Sequence, residues 1–128
     1  MMRSASATGV LLMVLAGASA CTTTGGAGKN QVMADAKALV TASYQCQEAL
    51  GREPHYSAIE SSETVLKATG QTPSAADRIV RGWLKDLIAS PKSPAGLDAR
   101  TCKDRLLTLA EKVRIGYETL AKARQAPG

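Results

Sequence analysis

The residues with the widest chemical repertoire in this chain are three cysteines and one histidine. They are Cys21, Cys46, Cys102 and His55. A cysteine can act as a nucleophile, bind a metal, carry a lipid or form a disulfide. Zinc sites are built from cysteines and histidines at paired short spacings, and Cys46, Cys102 and His55 lack such spacings. Metal ligation is therefore the weakest interpretation, and we expect no metal and no cofactor.

Catalytic groups do not combine into a recognisable set. Three carboxylates stand near His55 in the sequence: Glu53, Glu60 and Glu63. A proton-transfer cluster can be drawn from them, but the chain has no second histidine, no HExxH and no G-x-S-x-G motif. Ser61-Ser62 has no base at a recognisable spacing. We therefore predict no catalytic residue, no enzyme and no small-molecule substrate, and we place His55 in a solvated loop.

The first 20 residues have the layout of a secretory signal peptide. Arg3 gives a short positive start, residues 9–17 (GVLLMVLAG) are apolar, and Ala18-Ser19-Ala20 is a small-residue cleavage region. The apolar stretch is well short of the roughly 20 residues that a transmembrane helix needs, so a retained anchor is the weaker interpretation. We expect residues 1–20 to be removed, which makes Cys21 the first residue of the mature chain.

The residues before Cys21 resemble the lipobox of bacterial lipoproteins, in which Leu, a small residue and then Gly or Ala precede the lipidated cysteine. Ala18 replaces the usual Leu, so cleavage by the ordinary signal peptidase, which would leave a free thiol, stays open. The resemblance implies a diacylated, palmitate-type anchor on Cys21, followed by a flexible tether over residues 21–29 (CTTTGGAGK). Thr22 stands where Asp retains such proteins at the inner membrane, which implies the periplasmic face of the outer membrane.

Assigning Cys21 to the lipid leaves Cys46 and Cys102 as an even pair. In the oxidising periplasm the default for such a pair is a disulfide, and the alternative is two unrelated buried thiols. The disulfide would close a loop of about 56 residues, for which the chain-entropy model gives roughly 4 kcal/mol. A contribution of that size is large for a mature chain of about 108 residues, which can build only a modest core.

Hydrophobic periodicity predicts four helices and no strand. The predicted helices run from the cap Asn30 to Gly51, from about Tyr56 to Gly70, from Thr72-Pro73 to Ser90, and from the cap Asp98 to about Arg124. Residues 90–96 (SPKSPAG) are a proline-rich loop. We therefore predict an all-α fold, with residues 30–124 forming a small antiparallel four-helix bundle and 125–128 a tail. In such a bundle the end of the first helix lies beside the start of the last, so the topology permits the Cys46–Cys102 pair.

The chain is mildly basic, with 16 Lys and Arg against 11 Asp and Glu. The two signs are interspersed and base-stacking aromatic residues are scarce, so we expect no nucleic-acid partner. Bases on the last two helices could face anionic lipid or an acidic partner, although a solvated charged face is the ordinary interpretation. Trp83 lies in the apolar stripe of the third helix, so we predict a core residue, with a partner-binding anchor as the alternative.

Five features together resemble the pilotin lipoproteins of type II secretion systems. They are the lipidated Cys21, the Thr/Gly tether after it, a helix bearing Tyr44-Gln45-Cys46, two middle helices, and Asp98-Ala99-Arg100-Thr101-Cys102 at the start of the last helix. Pilotins are small four-helix outer-membrane lipoproteins with a disulfide. The resemblance implies binding of a secretin subunit's C-terminal segment in a groove between helices, and escort of that subunit to the outer membrane. A periplasmic chaperone of the acid-stress type, an immunity protein and an entry-exclusion lipoprotein are the alternatives.

Overall fold

The structure is a computed structural model that describes residues 25–90 and 97–125. These two ranges form the helices α1 (Gly25–Gln45), α2 (Gln47–Leu50), α3 (Glu53–Ala68), α4 (Pro73–Ala89) and α5 (Ala99–Gln125). No strand occurs in either range, and a disulfide joins Cys46 to Cys102. The predicted all-α bundle with one disulfide is therefore confirmed. The predicted signal peptide, Cys21 and most of the proline-rich loop lie outside the described residues.

The first helix starts earlier than the sequence predicts. α1 begins at Gly25 rather than after Asn30, so residues 25–29 of the predicted tether are helical. Glycine costs about 1 kcal/mol relative to alanine in a helix, which is why the glycine-rich segment looked like a tether. In the structure Gly28 and Lys29 line two small cavities that Leu120, near the end of α5, also lines.

α2 continues the direction of α1 after a local distortion at Cys46. The amide of Cys46 donates to the carbonyl of Ala42 at 3.0 Å, and the amide of Leu50 donates to the carbonyl of Cys46 at 2.9 Å. The predicted first helix is thus hydrogen-bonded across Cys46 but is divided there into α1 and α2. Gly51 ends it with a φ of 84°, a conformation that favours glycine.

The helix caps follow the sequence signals. Thr72 Oγ1 accepts a hydrogen bond from the amide of Ala75 at 3.1 Å, and Asp98 Oδ1 accepts one from the amide of Thr101 at 2.7 Å. The bond from the Thr101 amide lowers the pKa of Asp98. The predicted N-caps Thr72 and Asp98 are confirmed, so the starts of α4 and α5 are fixed by local chemistry. The predicted cap Asn30 is wrong, because this residue lies within α1.

α1 is the central helix of the bundle. It is antiparallel to α3 and α5, and α4 packs on α1 and α3. The main core cluster consists of Val32, Leu39, Val40, Ala58, Val65 and Val113. A second cluster lies between α3 and α4 and consists of Leu66, Ala76 and Val80. Within the described ranges no Cα atom of α4 comes within 8 Å of one in α5. The helices therefore do not close into a ring.

α1 and α5 lie close together at Gly116. A Cβ atom at this position would lie 2.6 Å from Cγ2 of Val32, which is 4% exposed. The missing side chain lets the valine methyl groups fit against the α5 backbone. Gly116 therefore determines how near the two longest helices can lie.

Candidate partner-binding groove

A groove runs between α3 and α5 along one side of the bundle, with Leu39 of α1 as its floor. We call it the α3–α5 groove. Its α3 wall contains Pro54, Ser57, Ala58, Ser61 and Thr64, and its α5 wall contains Lys103, Leu106, Leu107, Ala110, Arg114 and Tyr117. Two adjoining cavities of about 380 and 360 Å³ share Leu39, Ser61 and Ala110. The groove is therefore continuous from the disulfide end to the middle of α5.

The spacing of residues on α5 explains why the groove is apolar. Leu107, Ala110 and Tyr117 follow at helical steps and lie on one flank of α5, beside the stripe that packs on α1. Leu107 is 63% exposed and Tyr117 is 39% exposed, although both are large and largely apolar. Adjoining exposed apolar side chains that line a groove are typical of a protein-interaction surface.

Small residues on α3 make room for an occupant. Ser57, Ala58 and Ser61 line the groove where a larger side chain would fill it. Serines on an apolar helix face are poor evidence for function in a sequence, because they look like ordinary surface positions. This wall of the groove consequently could not be predicted from the sequence.

The two walls of the groove carry opposite charges. Glu60 lies on the α3 wall, whereas Lys103 and Arg114 lie on the α5 wall. Arg114 donates from Nε to Glu111 and from Nη1 to Glu118, both in its own helix and both at 2.6 Å. Among the described residues, no carboxylate lies within 4 Å of the Lys103 ammonium. Lys103 is thus available to an acidic group of a partner at the disulfide end of the groove.

The disulfide lies at one end of this groove. It joins the end of α1 to the start of α5, with the two Cα atoms 5.8 Å apart, and both cysteines are almost fully buried. Leu50 and Lys103, which line the groove, are close to these cysteines in the chain. The pair therefore fixes the spacing of the helices where the groove begins.

The prediction for His55 is wrong. The residue lies in the first turn of α3 and is 5% exposed, not in a solvated loop. Pro54, a good residue for the first turn of a helix, starts α3 earlier than predicted and turns the imidazole towards α1. The proline was the signal that could have located this histidine.

His55 and Ser43 form a buried polar link between α3 and α1. Nδ1 of His55 lies 2.9 Å from Ser43 Oγ, which donates to the carbonyl of Val40, also at 2.9 Å. The single hydroxyl proton is directed at Val40, so Nδ1–H of the imidazole donates to Ser43. Ser43 is 1% exposed, which keeps its hydroxyl away from any substrate. Burial lowers the pKa of His55, and the pair is a structural contact.

Trp83 was predicted to lie in the core, and the structure places it at the edge of the core. It is half-buried on α4 and packs against both hydrophobic clusters. It is not one of the residues that line the α3–α5 groove. The alternative role of Trp83 as a partner anchor therefore does not involve this groove.

Within residues 25–90 and 97–125, no three His, Cys, Asp or Glu side chains are grouped so that they could hold a metal ion. No helix in these ranges is long and apolar enough to cross a membrane.

Comparison with family models, with curated proteins and with solved structures finds no match for this chain.

Proposed function

We propose that this chain is an exported lipoprotein that binds an amphipathic helix of a protein partner in the α3–α5 groove. In the pilotin-like form of this proposal, the partner is a subunit of an outer-membrane secretion channel, which the lipid on Cys21 brings to the periplasmic face of that membrane. The observation that carries the proposal is the continuous apolar groove, with Leu107 and Tyr117 exposed along it.

The length of the groove suits a helix of a few turns. Along α5 it extends from Lys103 to Tyr117, which corresponds to about 21 Å at a rise of 1.5 Å per residue. A helix of about 14 residues has the same length and would place apolar side chains at i, i+3, i+4 and i+7 against the floor. The small residues on α3 allow its backbone to approach.

The walls of the groove favour a helix over an extended strand. Both walls are helices whose backbone amides and carbonyls are already hydrogen-bonded within each helix. An extended peptide would find no backbone partners there, whereas a helix satisfies its own backbone groups. The occupant therefore presents side chains only, with an acidic residue near Lys103 and a basic residue near Glu60.

Site-specific photo-cross-linking in intact cells tests this function. A photoreactive side chain at position 107 lies on the groove, and the same side chain at position 88 is the matched control, because Ile88 is also exposed (70%) but lies on α4. We expect position 107 to capture one dominant outer-membrane channel subunit and position 88 not to capture it. Capture of many unrelated exported proteins at both positions would contradict the proposal and favour the chaperone class.

Substitutions then distinguish the affinity for the partner from the location of the protein at the membrane. Leu107→Glu should weaken binding of the captured helix by about tenfold or more, since it places a charge on an apolar contact, whereas Ile88→Glu should leave binding unchanged. Cys21→Ser should keep the fold and the binding but lose membrane location. A Cys21→Ser protein that still fractionates with the outer membrane would overturn the lipid anchor.

A further inference from the structure

The first turn of α3 is stabilised differently from the first turns of α4 and α5. α4 and α5 begin with the side-chain caps Thr72 and Asp98, whereas Arg52, the residue before α3, makes no side-chain cap. The carbonyl of Arg52 accepts hydrogen bonds from the amides of His55 and Tyr56, both at 3.1 Å. Because a side-chain cap is missing, the first turn of α3 depends on its contacts with the neighbouring helix α1.

His55 makes the polar contact between this turn and α1. Its imidazole is 5% exposed, its Nδ1–H donates to Ser43 Oγ at 2.9 Å, and its ring centroid lies 5.6 Å from that of Tyr44. Pro54 and Ala58, in the same part of α3, line the α3–α5 groove. The packing of one imidazole on α1 therefore positions the α3 wall at the disulfide end of the groove.

A positive charge on this imidazole would be unbalanced. Because Nδ1–H is bonded to Ser43, a second proton would bind to Nε2, which makes no hydrogen bond with a described residue. Within residues 25–90 and 97–125, no carboxylate lies within 4 Å of either ring nitrogen of His55. A buried cation without a counter-ion is costly, so protonation favours a conformation in which the imidazole reaches water.

The charged residues of the surrounding elements do not change this conclusion, because all those near the start of α3 are exposed. They are Glu48 of α2, Arg52 and Glu53 at the start of α3, Lys85 and Asp86 near the end of α4, and Asp98, Arg100, Lys103 and Asp104 around the start of α5. α1 has no charged residue after Lys37, and the other titratable groups near the imidazole are Tyr44 and Tyr56. Burial lowers the pKa of His55.

We propose that the first turn of α3 is an acid-sensitive gate of the α3–α5 groove. Protonation of His55 detaches this turn from α1, displaces the wall that contains Pro54, Ser57 and Ala58, and releases the helix that is bound there. The release of a partner rests on the proposed function, whereas the opening of the turn is a property of the free chain.

The direction of the pH effect follows from proton linkage. In the open turn His55 has its ordinary pKa of 6.5, whereas burial lowers its pKa in the closed turn. Opening is therefore favoured as the pH falls below 6.5. Between pH 7.5 and pH 5 the equilibrium constant for opening should rise by up to about thirtyfold, since one pH unit changes it by at most tenfold.

Amide hydrogen exchange of the free chain tests the gate. We expect the protection factors of residues 56–58, which are corrected for the intrinsic pH dependence of exchange, to fall by up to about thirtyfold between pH 7.5 and pH 5. Exchange through this local opening should be nearly independent of low urea concentrations, unlike exchange through global unfolding. Protection that is independent of pH, or that falls with urea as steeply as that of the most protected amides of α4, would overturn the gate.

Two variants separate His55 from other titrating groups. His55→Asn keeps a donor for Ser43 but does not titrate, so its protection factors should not change with pH. Glu53→Gln is the matched control, because it removes an exposed titratable group from the same turn and should leave the pH response intact. If His55→Asn does not fold, the ring titration of this single histidine decides, since a pKa at or above 6.5 in the folded chain would overturn the gate.

Binding measurements connect the gate to the proposed function. For the helix captured through position 107, the affinity of the wild type should fall several-fold from pH 7.5 to pH 5, and that of His55→Asn should not. Equal losses of affinity would overturn the control of binding by His55. Failure to capture any helix would refute the proposed function, whereas the gate is decided by exchange in the free chain.

Discussion

At the scale of single residues, His55 and Gly116 have structural roles that depend on residues in another helix. His55 looked like a solvated histidine because only its sequence neighbours could be considered, and Ser43 lies in another helix. Gly116 looked like an ordinary helix position, and its role depends on Val32 across the interface between α1 and α5. Neither contact has a local sequence signature, so neither could be predicted.

Burial of His55 predicts a pH-dependent stability. Its pKa in the folded chain is lowered from the ordinary value of 6.5, so between these two pKa values the unfolded chain binds more protons than the folded chain. Stability should therefore fall as the pH drops below about 6.5 and should not depend on His55 above that value. Urea unfolding at a series of pH values measures this.

His55→Asn is the control for that dependence, because its side-chain amide keeps a donor for Ser43 but does not titrate. The variant should lose the part of the pH dependence that begins near 6.5. Parallel stability curves for the wild type and the variant would show that burial of the imidazole has no such effect.

Gly116 and Gly82 form a matched pair of glycines within helices. Gly116→Ala should destabilise the fold by about 1–2 kcal/mol, because the new methyl group collides with Val32 and the overlap outweighs the gain in helix propensity. Gly82→Ala should stabilise it by up to about 1 kcal/mol, since no atom lies within 4 Å of its Cβ position. Unfolding by urea distinguishes them, and equal effects would refute the close approach.

At the scale of elements, the sequence signals were strongest where a cap or a proline fixes the backbone. Thr72-Pro73 and Asp98 located the starts of α4 and α5, and both side-chain caps are present. The start of α1 was missed, because the low helix propensity of glycine favours a tether, whereas residues 25–29 are helical in the structure. The start of α3 was missed because Pro54 was not used as a first-turn signal.

The disulfide is expected to stabilise the pairing of α1 and α5. Cys46→Ala with Cys102→Ala should lower the free energy of unfolding by about 4 kcal/mol, because the unfolded chain is no longer closed into a loop. Thermal unfolding with and without reductant measures the effect. Reductant should lower the melting temperature of the wild type and leave that of the double variant unchanged. If complete reduction left the melting temperature of the wild type unchanged, the disulfide would not contribute to stability.

At the scale of the whole molecule, the fold class and the disulfide could be predicted but the groove could not. Helical periodicity and the even pair of cysteines depend on chain-local patterns, and both predictions are confirmed. The groove depends on how far apart α3 and α5 lie, which is set by small residues such as Ser57 and Ser61 and by contacts with α1. The distance between two helices such as α3 and α5 cannot be inferred directly from a single sequence.

The central position of α1 also has a mechanical consequence. Tension applied along α1 from Gly25 would load a helix that contacts α3, α4 and α5 and that is followed by Cys46, which is bonded to α5. Such a pull would shear many side-chain contacts at once instead of peeling one helix away. Extraction of α1 along its axis would therefore be resisted by several helices at once.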